Sequence, residues 1–175
     1  MINGHRVAFV VAVDEKFGIG KDNTLPWRLK KELKYFHDTT LQVEDERKQN
    51  MVVMGSATWK SIPEGRRPLP NRKNVVLSRD TEFNTPGAFV ATSIDDAFAL
   101  ADDTIETIHI IGGAGVFEQA IVLEEVDELY ITKIQNDYDC DRFFPEIPTG
   151  FSQVKQLDQD EENGTKWIYY RYSKE

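Results

Sequence analysis

Val7-Ala-Phe-Val-Val-Ala-Val13 is an unbroken apolar run of strand length. Such a run, rich in β-branched and aromatic residues, is what a strand covered on both faces requires, so it belongs inside a sheet and not at its margin. Working outward, runs of the same kind occupy residues 51–54, 74–77, 88–91, 107–111 and 128–134, each bounded by Gly, Pro, Asn or Asp. Between them, residues 29–40, 57–62, 94–101 and 115–123 carry helical patterning, the third opened by Ser93 as an N-cap. The order β-α-β-α-β-β-α-β-α-β predicts a mostly parallel sheet with helices on both faces and ligands at the carboxyl ends of the strands. The tail differs. Residues 151–157 and 166–172 are two strands around Asp-Gln-Asp-Glu-Glu-Asn-Gly, whose Asn163-Gly164 signals a hairpin, so the sheet should end in an antiparallel edge.

The 175 residues contain no internal repeat or linker and fit one domain, long enough to bury roughly 70% of its unfolded surface. Hydrophobic residues at 40% and charged residues at 29% exclude a chain that is disordered as a whole. A formal charge of −9 repels nucleic-acid phosphate and anionic membrane. No apolar run approaches the roughly 18 residues of a membrane span, and the N-terminus lacks a signal-peptide pattern. A cytoplasmic monomer is the expectation, since the edges are polar. Cys140 is alone and cannot form an internal disulfide; Asp139 and Asp141 beside it work against a thiolate. His5, His37 and His109 show no zinc spacing, so no metal is expected.

In the first helix Leu29, Leu33 and Phe36 form an apolar stripe, with Lys30, Lys31 and Lys34 opposite. Glu32 falls on the stripe. A carboxylate there either meets a cation, a donor or a ligand, or it lies at the stripe's edge and reaches water. Ahead of the helix, residues 14–27 form a long connection with two glycines, of the kind that folds over a site as a lid. Its Gly20-Lys21 is not a P-loop, because Glu15 and Asp22 stand where Gly and Ser or Thr are needed.

Two strand-to-helix junctions suit phosphate: Gly55-Ser56-Ala57-Thr58 and Gly112-Gly113-Ala114-Gly115 put glycine and free amides at a helix start. The second departs from the dinucleotide fingerprint, with Glu118 in the sixth position, and a tight turn alone would also explain it. Residues 65–79 contain Arg66, Arg67, Arg72, Lys73 and Arg79 and no acid, so this stretch carries +5 and the remainder −14. A solvated cationic loop is one explanation. The other is a rigid platform, held by Pro68 and Pro70, for a small anion whose carboxylate or phosphate suits an arginine fork.

Together these segments resemble the dihydrofolate reductase family from about residue 7 to the last strand. The resemblance is carried by GIGKDNTLPW (18–27), the acidic helix to Phe36, MGSATWKSIP (54–63), RPLPNRKNVVLSR (67–79), IIGGAGVFEQA (110–120), LYITKI (129–134) and DRFFPEI (141–147). It implies a twisted eight-stranded, mainly parallel sheet with an antiparallel C-terminal edge and four helices. It also implies hydride transfer from NADPH to C6 of 7,8-dihydrofolate with protonation at N5, giving tetrahydrofolate for one-carbon metabolism. Glu32 would be the acid in the pteridine pocket, its pKa raised by burial against Phe36, Val10 and Leu33. Trp27 would support it through a water and Thr132 through its hydroxyl. Val10, Val11, Leu33 and Ile111 would border the substrate, Leu25, Phe36, Ile62 and Leu69 would line its aryl path, and Arg72 would clamp its α-carboxylate.

On the cofactor side, Ala12 and the loop residues Gly18, Ile19, Gly20, Asn23 and Thr24 would enclose the nicotinamide. Gly55, Ser56, Ala57 and Thr58, with Ile111, Gly112, Gly113, Ala114, Gly115, Val116 and Phe117, would hold the pyrophosphate region. Leu77, Ser78 and Arg79 would meet the adenosine 2′-phosphate. Four positions depart from the family pattern. Ser56 and Ala57 stand where basic residues are common, Phe117 replaces a Tyr, and the acid is Glu where other branches have Asp. Two other classes remain: a reductase of a ribosylated pyrimidine, which would lack both Glu32 and Arg72, and a nucleotide-binding module without turnover.

Overall fold

The computed structural model describes residues 1–175. Strand β1 (Arg6–Val13) lies inside the sheet, paired in parallel with β6 (Ile105–Gly112) and β7 (Glu128–Ile134). With β3 (Gln49–Gly55), β4 (Lys73–Leu77), β5 (Phe89–Ala91), β9 (Gln153–Glu162) and β10 (Thr165–Ser173), they form one eight-stranded sheet, ordered β5-β4-β3-β6-β1-β7-β10-β9. All pairs are parallel except β7 with β10 and β10 with β9. The antiparallel edge is therefore where the Asn-Gly signal puts it. Asn163 at φ 51° and Gly164 at φ 84° make the turn, a conformation in which glycine carries no steric cost.

Alternation along β1 divides the molecule into two layers. Val7, Phe9, Val11 and Val13 join Ile108, Ile110, Phe98 and Phe117 in the main core, on the side of α3 (Ile94–Ala99) and α4 (Ala114–Ala120). Ser93 caps α3 by accepting from the Asp96 amide at 3.0 Å. Val52, Met54 and Val76 point the other way, packing with Trp59 of α2 (Ser56–Ser61). That second layer also carries α1 (Lys30–Leu41).

Three expectations change. The helical pattern at residues 115–123 ends as helix at Ala120, because Ile121, Leu123 and Val126 turn inward through successive tight turns and keep the apolar pattern going. The face that α1 buries is Leu29, Glu32, Tyr35, Phe36, Thr39 and Thr40; Leu33 is 54% exposed and does not belong to it. Glu32 is thus near the middle of the inward face and not at its edge. Finally, the long connection at residues 14–27 contains a strand: β2 (Gly18–Gly20) pairs antiparallel with β8 (Arg142–Phe143) in a separate two-stranded sheet.

Candidate active site

α1 crosses the sheet from β9, over β1, to β3, where Asn50 donates to the Thr40 carbonyl at 3.0 Å. Tyr35 stacks on Tyr169 of β10, with ring centroids 3.9 Å apart and planes inclined by 25°. Trp27, Ile134, Trp167 and Tyr169 form a small hydrophobic cluster, against which Leu29 and Tyr35 pack, and Trp27 lies 5.2 Å from Tyr138 between ring centroids. Glu32 sits in this surround. Burial pushes its carboxyl up from 4.5 to about 7, and the hydrogen bond from the Thr132 hydroxyl, itself buried in β7, only partly opposes this. A carboxyl with a pKa near 7 can hold or release a proton at neutral pH, as acid–base chemistry needs.

Eight residues further along α1, about 12 Å by helical rise, Thr40 ends the inward face. There Arg72 donates from its terminal nitrogen to Thr40 Oγ1 at 2.8 Å and from Nε to the Pro70 carbonyl at 3.0 Å. Arg72 is buried, with 6% of its surface exposed, and no carboxylate lies within ion-pair distance. Burial pulls its pKa down, the sign of a guanidinium held from water without a counter-ion. Between the two ends, Ile62, Leu69 and Ile111 pack against the Val52, Met54, Trp59 and Val76 cluster and make an apolar wall. A buried acid, an apolar wall and an unpaired buried arginine are thus spread along one face.

The other members of the basic stretch divide by role. Arg67 donates to the carbonyls of Trp59 at 3.1 Å and Ile62 at 3.3 Å and lies over the Trp59 ring, and Lys73 donates to the Leu100 carbonyl at 2.7 Å. These two are structural. Arg66 and Arg79 are exposed, with Ser78 half-buried beside Arg79.

The expected substrate residues differ in burial and in the face they present. Val10 and Val11 point to opposite faces of β1, and Val11 packs into the main core, so only its backbone is available on the α1 side. Leu25 and Leu33 are exposed, at 62% and 54%. Phe36 is half-buried on the inward face of α1, and Ala12 is half-buried near the end of β1.

At the carboxyl ends of β3 and β6, Gly55, Gly112 and Gly113 come together. Gly112 has φ 128°, and a Cβ on it or on Gly113 would lie 3.4 Å from Thr58 Oγ1. A Cβ on Gly55 would lie 3.2 Å from Val116 Cγ2. Side chains at these positions would fill a concavity that a hydroxyl and amides line, which fits the diphosphate of a dinucleotide. Ser56 is half-buried, Ala57 and Gly115 are exposed, and Ala114 opens α4. Phe117 is buried against Phe9 and Phe144, each ring 5.1 Å away, and supports Gly112 from behind. Leu77 and Ile19 pack at the margin of the main core. Gly20 contributes to β2, while Asn23 and Thr24 are exposed in the turn closed by the Lys21–Thr24 bridge.

One organising residue escapes the sequence reading. Asp14, at the exit of β1, is buried and accepts from the amides of Gly18 at 2.7 Å, Lys16 at 2.9 Å and Tyr138 at 3.1 Å. Burial raises its pKa, yet these bonds and one from the Cys140 thiol outweigh it and leave the carboxylate below its ordinary value. The one available signal is an acid ending a buried strand four residues before a glycine. Cys140 is pushed up to about 11, first by burial and then by Asp14, and not by the flanking Asp139 and Asp141 that the sequence suggests. No group of His, Cys, Asp and Glu is placed to hold a metal ion, and no helix is long and apolar enough to cross a membrane.

The family model for dihydrofolate reductase matches residues 6–174. Dihydrofolate reductase of Drosophila melanogaster is 44% identical over 173 residues, covering 94% of this chain and 95% of its own. That of Bos taurus is 39% identical over 180 residues, with 94% and 95% covered. Among solved structures, Schistosoma mansoni dihydrofolate reductase superposes with a TM-score of 0.83 at 31% identity, over 98% of this chain and 99% of that one. With the fold, the length and the near-complete coverage in agreement, the chain belongs to the dihydrofolate reductase family.

Proposed function

We propose that NADPH is the hydride donor in the dihydrofolate reduction that this family performs, and that Glu32 is the acid of the reaction. The observation that carries the reading is the Glu32 carboxyl held near pKa 7 at one end of a face whose other end holds Arg72 without a counter-ion. When bound, NADPH supplies the hydride from its reduced nicotinamide ring. Glu32 binds the 2-amino group and N3 of the pteridine, and a carboxyl poised near neutrality favours delivery of the proton that N5 acquires. Thr132 orients it, and Trp27 closes its wet side.

Phe36, Ile62, Leu69 and Ile111 hold the aryl portion. Arg72 pairs with the α-carboxylate of the glutamate tail through the guanidinium capacity that Thr40 and Pro70 leave free. Gly112, Gly113 and Thr58 hold the diphosphate. Ser78 and Arg79 meet the 2′-phosphate, and they do so without the basic help that Ser56 and Ala57 cannot give. Residues 18–24, tied to β8, exclude water from the reacting carbons. We place all of this in a single domain, acting as a monomer in the cytoplasm and binding no nucleic acid. The charged edge strand β9, with Lys155, Asp158, Asp160 and Glu161 exposed or nearly so, supports the monomer.

The test is to mix the purified chain with NADPH and dihydrofolate and follow the loss of reduced-nicotinamide absorbance. Turnover with NADPH well above that with NADH is expected. Cofactor binding without turnover, or equal use of the two cofactors, overturns the reading.

A further inference from the structure

We propose that Glu162, at the tip of the β9–β10 hairpin, is a positioning residue for the reaction: it caps α1 from outside the helix and fixes where Glu32 meets the substrate. The inference rests on the reading of Glu32 given above. Helix α1 begins without a local cap, since Leu29 at the N-cap position has no side-chain hydrogen bond to offer. Its first-turn amides therefore need an acceptor from elsewhere. Glu162 supplies both oxygens, accepting from the Lys30 amide at 2.9 Å and the Lys31 amide at 3.1 Å across more than 130 residues of chain. Glu32 is the next residue. Any drift of that turn moves its carboxyl directly.

The cap is held from its own side. Glu162 is the last residue before the Asn163-Gly164 turn and pairs with Thr165 in the hairpin ladder. Lys31 Nζ donates to Asp160 Oδ1 at 3.3 Å and to the Glu161 carbonyl at 3.0 Å, closing the contact a second time. One turn along, Tyr169 of β10 stacks on Tyr35. The hairpin thus grips α1 on both sides of Glu32, and a carboxylate at a helix N-terminus is favourable in its own right.

The titratable groups around Glu32 are few. Tyr35 on its own helix and Tyr169 on β10 feel its charge; Lys30 and Lys31 flank it in the first turn; Asp158, Asp160, Glu161 and Glu162 lie on β9. From β7 it meets the uncharged Thr132 hydroxyl, and neither β1 between Val7 and Val13 nor β3 carries a titratable group.

The experiment compares wild type, Glu162→Ala, Glu162→Gln and Lys31→Met. The Glu32 carboxyl is titrated by 13C NMR in the free protein, and kcat and KM are measured against pH. Loss of one cap shifts the balance between formed and frayed first turn by about five-fold, so Glu162→Ala should lower kcat/KM for dihydrofolate measurably, by up to about that factor, with the NADPH KM unchanged. Its Glu32 titration should move down toward the ordinary carboxylate range as the frayed turn admits water. Glu162→Gln keeps one acceptor and should fall between the two, which carries the test alone if the alanine variant does not fold. Lys31→Met removes only the outer contact and keeps both Glu162 oxygens on the amides, so the titration should stay in place, and a shift as large as that of Glu162→Ala would assign the positioning to the lysine and overturn the proposal. A Glu162→Ala or Glu162→Gln protein that melts earlier yet keeps the wild-type titration and kcat/KM overturns the proposal and leaves the cap purely structural. Failure of the underlying reading shows differently: Glu32→Gln would then keep the wild-type rate.

Discussion

At the residue scale two charges are held where water cannot reach them freely, and each has a cost that the free protein bears. For Glu32 the folded pKa of about 7 lies above the ordinary 4.5, so folding favours its protonated form. Its contribution to stability is fully present below about 4.5 and is lost as pH rises through about 7, a difference of up to about 3 kcal/mol. Glu32→Gln should therefore melt higher than wild type above pH 7, with the gap closing below pH 4.5, as thermal unfolding against pH will read. The same substitution should slow hydride transfer by about 100-fold or more at neutral pH and less in acid, where substrate arrives protonated. Equal loss at every pH would mean that Glu32 only orients the pteridine. Arg72 makes the complementary case. Arg72→Leu removes a buried charge with no counter-ion, so stability should hold or rise, while the dihydrofolate KM should increase about 10-fold or more from the lost charge-assisted bonds. An unchanged KM would remove Arg72 from tail recognition.

Elements were legible in the sequence to the extent that their burial was two-sided. β1 announces itself because both its faces are covered and its composition leaves no alternative, and β7 because buried Leu129, Ile131 and Ile134 are set among half-buried Glu128, Tyr130 and Lys133. β9 runs on past residue 157 to Glu162, because its extension through Asp158–Glu162 depends on pairing with β10 and not on apolar content. The three-residue β2 and two-residue β8 carry no periodicity at all, and only the tertiary contact makes them strands. The same limit applies to the site. Glu32 is visible as an acid on an apolar stripe, whereas the buried face is centred less than one residue's rotation of about 100° away from the Leu29–Leu33–Phe36 stripe, an offset that cannot be seen without knowing which side the sheet lies on. Asp14 was invisible for a related reason: its partners are backbone amides of Gly18 and Tyr138, and amides leave no trace in a sequence. Its carboxylate is held below the ordinary range, so its stabilising share is present above that range and is lost as pH falls. Asp14→Ala should leave those amides buried and unpaired, costing about 1–3 kcal/mol in unfolding free energy and loosening residues 18–24. Hydrogen exchange should quicken at Gly18 and at Tyr138 together. Protection unchanged at both would show that β2 and β8 hold the loop without Asp14.

At the scale of the whole molecule, an acidic protein must bind two anionic ligands, and the range of each force decides how. The formal charge of −9 is a +5 stretch within a −14 remainder. Of the five cations, Arg67 and Lys73 are taken up by backbone carbonyls, Arg72 gives only part of its guanidinium to Thr40 and the Pro70 carbonyl, and Arg66 and Arg79 are exposed. Repulsion from the remainder acts over tens of ångströms at low salt, where the screening length is about 30 Å, and is largely removed at 0.1 M, where it is about 10 Å. Contact pairs such as those expected of Arg72 and Arg79 act over about 3 Å and survive that first screening. NADPH affinity should therefore pass through a maximum, rising as salt goes from about 0.01 to about 0.1 M and falling toward 1 M, where even close pairs weaken. Stopped-flow association rates should rise over the first interval, because long-range repulsion acts on encounter. Arg79→Ala should flatten the fall at high salt and leave the initial rise intact, since only the contact is removed. Affinity that declines steadily from the lowest salt would instead mean that the local cations dominate at every distance, and that the acidic remainder faces away from both ligands.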